Sequence, residues 1–148
     1  MKQAGAFFLL LSHFFCYSFQ AYAGAEDVLP SGYTPQTGNT SYQVNGSTGT
    51  FNSYDPITTG TWESFNIGSA ATFDAYLSGA HLSKVVGSDP SQIFGAMNIH
   101  SGRFFLVNPN GIHFSPTAQI NVNNLVASTL DISTNNFING NYILEHNV

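Results

Sequence analysis

Beyond residue 23 the chain has no cysteine, its single one being Cys16 in the apolar leader. Disulfides and thiolate metal sites are thereby excluded from the remainder, which has to be held by packing and backbone hydrogen bonds. Charge is nearly as scarce, at 7% of residues. From residue 24 onward Lys84 and Arg103 stand against eight carboxylates, a net charge of −6 with histidines neutral. Nucleic acid is excluded as a partner, because binding it needs clustered Lys and Arg to displace counterions. A helical stripe is also missing. Residues 70–86 come nearest to one, but Gly79 and the β-branched residues argue for strand and loop there. His81, His100 and His113 have no zinc-ligand spacing and are expected at the surface or at strand edges, so neither a metal nor another cofactor is expected. No Gly-x-Ser-x-Gly elbow occurs, and Asp55, Asp74, Asp89 and Asp131 are scattered rather than paired.

What is present begins with a leader. Met1-Lys2 gives a positive start, an apolar run extends from Ala4 to Phe19, and Ala21-Tyr22-Ala23 places small residues around a cleavage point. The pattern is that of a secretory signal peptide spanning residues 1–23, cut between Ala23 and Gly24. Its apolar run falls short of the ~20 residues that span a bilayer. The 125 residues that follow suffice for one domain with a modest core. Residues 24–61 are rich in Gly, Pro, Ser, Thr and Asn and read as an entry segment, either a loose linker or a few short strands. Residues 62–148 alternate: Phe65 and Ile67 flank Asn66, Ile112 and Phe114 flank His113, Ile120 and Val122 flank Asn121, and Leu130 and Ile132 flank Asp131. Such alternation sends one set of side chains inward and the polar set outward. Trp62 and Phe65, at the start of the alternating run, are expected in the core or its cap rather than as a sugar platform.

Apolar residues also recur at roughly rung-sized intervals. Ile99 to Ile120 is 21 residues, Leu106 to Leu125 is 19 and Ile112 to Ile132 is 20. A coiled β architecture and an antiparallel sandwich both remain open on this pattern. Between two apolar runs lies Asn108-Pro109-Asn110-Gly111, which fits a type I turn with Asn at i, Pro at i+1 and Gly at i+3. Gly111 suits an exit with φ > 0, so Gly111→Val is expected to be costly, and Asn108→Asp less so because Asp is also accepted at that turn position.

Four ordered blocks carry a resemblance: "WESFNIG" (62–68), "GSDPSQIFGAM" (87–97), "FLVNPNGIHFSPTAQINV" (105–122) and "LVASTLDIS" (125–133). Together they resemble the amino-terminal secretion domain of filamentous-haemagglutinin-like exoproteins, also called the haemagglutination activity domain, of two-partner secretion systems. The resemblance implies an all-β fold, a right-handed parallel β-helix with an irregular amino-terminal cap, incomplete at its carboxyl end. It implies a secretion and folding-nucleation module of an adhesin-type exoprotein, secreted or held at the cell surface after passing the periplasm. The implied partner is a cognate outer-membrane β-barrel transporter with periplasmic domains, with a host or surface glycan engaged through a downstream region. Asn108, Pro109, Asn110, Gly111 and Ile112 form the family's signature segment, a transporter-recognition or turn motif. The family's second Asn-Pro-Asn motif is missing. The alternatives are a carbohydrate-active β-helix enzyme and a non-functional truncated fragment of an adhesin.

Overall fold

The computed structural model describes residues 26–146, so the leader, Cys16 and the Ala23–Gly24 junction lie outside the described residues. Alternation translates directly into facing. In Thr48–Ser53 the side chains of Phe51 and Ser53 are buried while Thr50 and Asn52 are only half covered. This strand, β3, follows β1 (Thr34–Thr37) and β2 (Thr40–Asn45). It is succeeded by β4 (Ile57–Trp62), β5 (Thr72–Leu77), β6 (Ala80–Val85), β7 (Ser91–Ile93), β8 (Ala96–Ile99) and β9 (Arg103–Val107). The chain continues through β10 (Ile112–Phe114), β11 (Gln119–Val122) and β12 (Leu125–Ser128) to one helical turn, α1 (Thr134–Ile138).

Parallel pairing joins β3, β5, β8 and β11 into a first face and β4, β6, β9 and β12 into a second. Ile67, β7 and β10 make a third, shorter face. The result is a parallel β-solenoid of about four turns. Its first rung, β3 with β4, lies within the 24–61 segment, and β4 runs on into Trp62.

The turn length is longer than the apolar recurrence suggests. Thr48 sits beside Thr72 and Thr72 beside Ala96, 24 residues per turn, while the shortest stacked pairs, Ser91 with Ile112 and Phe104 with Leu125, are 21 apart. Ile120 therefore lies under Met97 rather than Ile99, and Leu125 under Phe104 rather than Leu106. Each is a slip of two residues, which leaves the facing of every side chain unchanged and so is invisible to an apolar pattern.

Inside the bore, large and small residues alternate down each column. On the first face Gly49 stands over Phe73 and Phe51 over Ala75. On the second face Gly60 stands over Ser83, which stands over Leu106. This interdigitation fills the space between rungs without forcing rotamers. Trp62, Phe51, Phe65, Phe73 and Phe104 are all fully buried and meet one another mostly edge to face or tilted, with Phe51 and Phe73 stacked, at centroid distances of 5.1–6.5 Å. Trp62 and Phe65 are thus core residues.

Among the described residues no further rung lies above the first, and it is covered instead by two antiparallel strands, one of them with a register irregularity between Pro35 and Thr37. β2 pairs antiparallel with β3 and β1 antiparallel with β4, sealing the upper edge of both long sheets. Tyr33 and Tyr42 drop from this cover onto Trp62 at 4.6 and 4.8 Å. The phenol of Tyr42 donates to the Pro30 carbonyl, and its burial pushes its pKa up to about 12. Room for the two rings comes from Gly49 and Gly60: a Cβ on either would lie 2.5 Å from a tyrosine atom.

At the other end the chain leaves the solenoid after β12. Ser133 caps α1 by accepting from the Asn136 N–H, and Ile132 and Phe137 bury themselves on the outside of the second face against Leu82, Phe105 and Val107. Asp131, bridged to Glu145, meets Lys84 at 2.8 Å. Ile132 is therefore not part of a last rung but of a segment folded back over the sheet. The five-residue helix is too short to leave a stripe, and Ser133 is its sole sequence signal. Among the described residues nothing pairs with the far edges of β10, β11 and β12. The side chains of Ile112, Ile120, Val122 and Leu125 there are only partly covered.

If the glycines exist to admit the cap, Gly60→Ala should lower stability by about 1–3 kcal/mol through overpacking. The loss should shrink markedly in a Tyr33→Ala background. Equal losses in both backgrounds, measured by denaturant titration, would show that Gly60 is needed for some other reason.

Candidate functional site

β9 delivers the chain to the signature segment and β10 carries it away, which places the segment at the corner between the second and third faces. The Gly111 N–H donates to the Asn108 carbonyl at 3.1 Å, closing a four-residue turn. No non-glycine residue among those described has positive φ, so Asn110 takes the ordinary type I conformation, and Gly111 exits at φ +117°. Pro109 and Asn110 are exposed, Gly111 and Ile112 are half-buried, and Asn108 is wholly buried.

Asn108 does more than start the turn. Its Nδ2 donates to the Asp89 carbonyl and to Ser91 Oγ, each at 3.0 Å, while its Oδ1 accepts from the Asn110 N–H at 3.0 Å. Asn110 Nδ2 donates to the Gly87 carbonyl at 2.9 Å. Backbone bonds run from Ser91 N–H to the Gly111 carbonyl and from Asn108 N–H to the Ser128 carbonyl. The corner is thus clasped to the preceding turn at 87–91 and tied to the rung below. Ile112 lies beside Ser91 in parallel register and packs partly against the core. Asp89 and Pro90 of the clasped turn also line a cleft of about 360 Å³ with Val28, Asn66, Gln92 and Phe94.

The expectation that Asp would be accepted at position 108 does not survive this geometry. A carboxylate can accept from Asn110 but cannot donate to Asp89 and Ser91, and it would be buried against a carbonyl. The sequence signal was available: a polar residue directly after the apolar run Phe104–Val107 has no solvent-facing alternation to excuse it.

His81 is the second departure. Expected at a surface or rung edge, it is fully buried in the bore. Its Nδ1 is 2.7 Å from Thr58 Oγ1 and its Nε2 is 3.0 Å from Ser83 Oγ, which also accepts from Trp62 Nε1 at 2.9 Å. Phe51 and Phe104 lie over the ring at 4.5 and 5.6 Å. Burial drives the imidazole pKa down to about 3. β6 misleads because it is buried on both sides: Ala80 and Leu82 face outward under the folded-back segment, so the apolar positions are not the inward ones. His100 and His113 are exposed, His100 stacking on Tyr76 at 4.4 Å and reaching Asp74 at 3.0 Å.

The carboxylates go to separate partners. Asp55 accepts from the Asn39 N–H, Asp74 from the side chain of Asn98, and Asp131 faces Lys84. Among the described residues no three His, Cys, Asp or Glu side chains are grouped as a metal site would require.

A covered first rung, stacked parallel rungs and an Asn-Pro-Asn-Gly corner together make a capped parallel β-solenoid. The model of the TPS secretion domain family matches residues 24–148, and the chain belongs to that family, the secretion domains of exoproteins exported by two-partner systems. It is 34% identical over 131 residues to the heme/hemopexin-binding protein of Haemophilus influenzae strain Rd, covering 84% of this chain and 14% of that protein. A second Haemophilus influenzae protein of that name is 35% identical over 74 residues, covering 48% of this chain and 8% of its own. The chain thus spans about a seventh or less of the curated relatives it matches. Among solved structures it is similar to the HMW1 secretion domain from Haemophilus influenzae, with a TM-score of 0.73 and 29% identity over 80% of this chain and 32% of that one.

The clasp reorders the expected mutational effects. Asn108→Asp should cost about 3 kcal/mol at neutral pH, since it removes two donors and buries an unpaired charge. Gly111→Val should cost about 1–3 kcal/mol through backbone strain alone, because a Cβ there meets only Pro90 at 3.7 Å. Burial raises the new carboxyl's folded pKa, so the penalty of Asn108→Asp should be full above that value and fade as the group becomes protonated in acid. Denaturation midpoints at neutral and acidic pH check both statements; a milder effect for Asn108→Asp than for Gly111→Val would remove the clasp from consideration.

Proposed function

We propose that this domain engages a cognate outer-membrane β-barrel transporter while unfolded, and that its covered first rung then nucleates the solenoid outside the cell. The observation that carries the reading is the asymmetry of the two ends. Antiparallel strands close the edge above β3 and β4, whereas the edges of β10, β11 and β12 are unpaired among the described residues. Rungs on such a scaffold add in one direction, each templated by the one before. An unfolded chain with unpaired strands is also a substrate for strand addition to the sheet edge of a partner, as a transporter's periplasmic domains would supply. Scarce charge and the lack of cysteine beyond residue 23 suit passage through a pore without disulfide locks.

The leader fits this route: the family match begins at Gly24, the residue after the expected cleavage at Ala23. The destination is the exterior or the cell surface, as part of an adhesin-type exoprotein whose downstream region would contact a host or surface glycan. Heme or hemopexin binding is not assigned to this chain, because the shared region is 14% of the relative that carries that name. Catalysis is not assigned either. Glycoside hydrolysis needs two facing carboxyl groups, and among the described residues the cleft beside the corner is lined by one, Asp89.

Within this reading the Asn108–Gly111 segment, with Ile112 behind it, serves as a corner of the folded module. Pro109, exposed and with its ring free of the clasp, separates the roles. Secretion of the chain should require the cognate transporter, and Pro109→Ala should leave stability within about 1 kcal/mol and secretion yield near wild type. Transporter-independent export would defeat the proposal as a whole. Lost secretion of a stable Pro109→Ala protein would instead make the segment a recognition element.

A further inference from the structure

We propose that His81 is a proton-sensitive lock on the capped end of the solenoid: the bore accepts the imidazole only in its neutral form, so closing the first two rungs expels a proton whenever the unfolded chain carries one on this side chain. The inference stands apart from the export reading, since it concerns what the folded rungs tolerate.

The geometry states the requirement twice. The first statement is a count of hydrogen-bonding groups. His81 reaches up from the second rung to Thr58 of the first through Nδ1 and sideways to Ser83 through Nε2, and Ser83 Oγ already accepts from Trp62 Nε1 of the first rung. A neutral ring has one bare nitrogen, which accepts the hydroxyl proton of Ser83 or of Thr58 according to tautomer. An imidazolium has none. Protonation turns that hydroxyl's hydrogen away from its acceptor in a place where water cannot replace it, because Thr58, His81 and Ser83 are each fully buried.

The second statement is the lack of a counter-charge. The inward positions of β3, β4, β5, β8 and β9, and the rest of β6, hold no Asp, Glu, Lys or Arg. Asp74, Lys84 and Arg103 belong to these strands but alternate to the outside. Among the described residues the one titratable group over the ring is the phenol of Tyr33 at 6.3 Å, itself hydrogen-bonded to Thr40 and held in its neutral form by burial. Phe51 and Phe104 close the remaining sides. A charge placed here is unpaired and desolvated, in keeping with an imidazole pKa pushed down to about 3.

The sign follows. Above the ordinary histidine value of 6.5 both folded and unfolded chains have a neutral ring and the lock is silent. Below it the unfolded chain binds a proton that the folded chain refuses, so stability falls as pH falls, until the folded ring itself is protonated near 3. One proton corresponds to a tenfold change in the folding constant per pH unit within that window. The position of the ring matters as much as the size of the effect: the bonds His81 makes join the first rung to the second, the step from which the later rungs build.

The test is equilibrium unfolding of the full chain in denaturant between pH 5 and 8, on wild type, His81→Gln, and a control with two of the three exposed histidines of the described residues changed, His100→Gln with His113→Gln. The wild-type folding constant should drop about tenfold between pH 6 and 5, the control should drop alike, and His81→Gln should be flatter by about that factor. An equal slope in His81→Gln overturns the proposal, as does a slope removed by the exposed pair. Should His81→Gln fail to fold, proton release on refolding the wild type and the control in weak buffer at pH 5.5 decides: close to one proton per chain supports the lock, and no release from either overturns it.

Discussion

The fold depends on covering the first rung. A parallel rung is stable when the rung above fills its bore, and the rung made by β3 and β4 has no predecessor among the described residues. Tyr33 and Tyr42 take that place. They contact Trp62 at under 5 Å each and occupy the space that Gly49 and Gly60 leave empty. The antiparallel strands β1, which Tyr33 directly precedes, and β2, which carries Tyr42, also satisfy the upper edges of both long sheets, so one short segment covers a bore and ends two hydrogen-bond ladders. Aromatic pairs of this kind contribute about 0.5–1.5 kcal/mol each beyond burial. Collected around Trp62, they concentrate stability at the end where the solenoid starts.

Direction follows from that placement. With one end covered and the sheet edges at the other open among the described residues, the solenoid is polar, and the growth proposed above would have a beginning and an orientation. The segment after β12 does not alter this. Ile132 and Phe137 turn back to cover Leu82, Phe105 and Val107 on the outside of the second face, which thickens the structure laterally and leaves the edges of β11 and β12 unpaired. On the function proposed above, such an assembly would stay unmade until its covered end closes, and beyond residue 23 it holds no cysteine whose disulfide could close it earlier.

Legibility of the sequence divided along physical lines. Facing was legible where one side of a strand meets solvent, as at Phe65, Ile67, Phe73 and Ile120, because period-2 alternation is then a direct record of burial. It failed in β6, where both sides are covered and His81 rather than Leu82 turned out to face the bore. The cap was expected as a segment, but its packing was hidden because its work is done by residues of low apolar content: polar, Thr-containing strands make backbone ladders, and the two tyrosines lie far from Trp62 in sequence. The Asn108 turn was legible as a turn from local chemistry, but its clasp to Gly87, Asp89 and Ser91 was not, since nothing local says which earlier turn lies overhead. Phe137 was missed because a single helical turn is below the length at which periodicity speaks.

The two-residue error in the apolar recurrence exposes a problem that the protein itself has to solve. Sliding one parallel rung by two residues preserves facing, and with β-rich aliphatic columns such as Met97 and Ile99 over Ile120 and Val122 it exchanges one acceptable contact for another. Apolar packing therefore specifies register weakly. Directional bonds between rungs specify it strongly, and the buried ones sit at the upper two interfaces: Thr58 to His81 and Trp62 to Ser83 between the first and second rungs, Asn108 to Ser91 and Asp89 between the second and third. A slip at either interface would leave buried donors without acceptors, at about 1–3 kcal/mol each. The polar groups inside this solenoid are best understood as its register marks, which lets one class of interaction, the apolar column, drive collapse while another decides which rung lies over which.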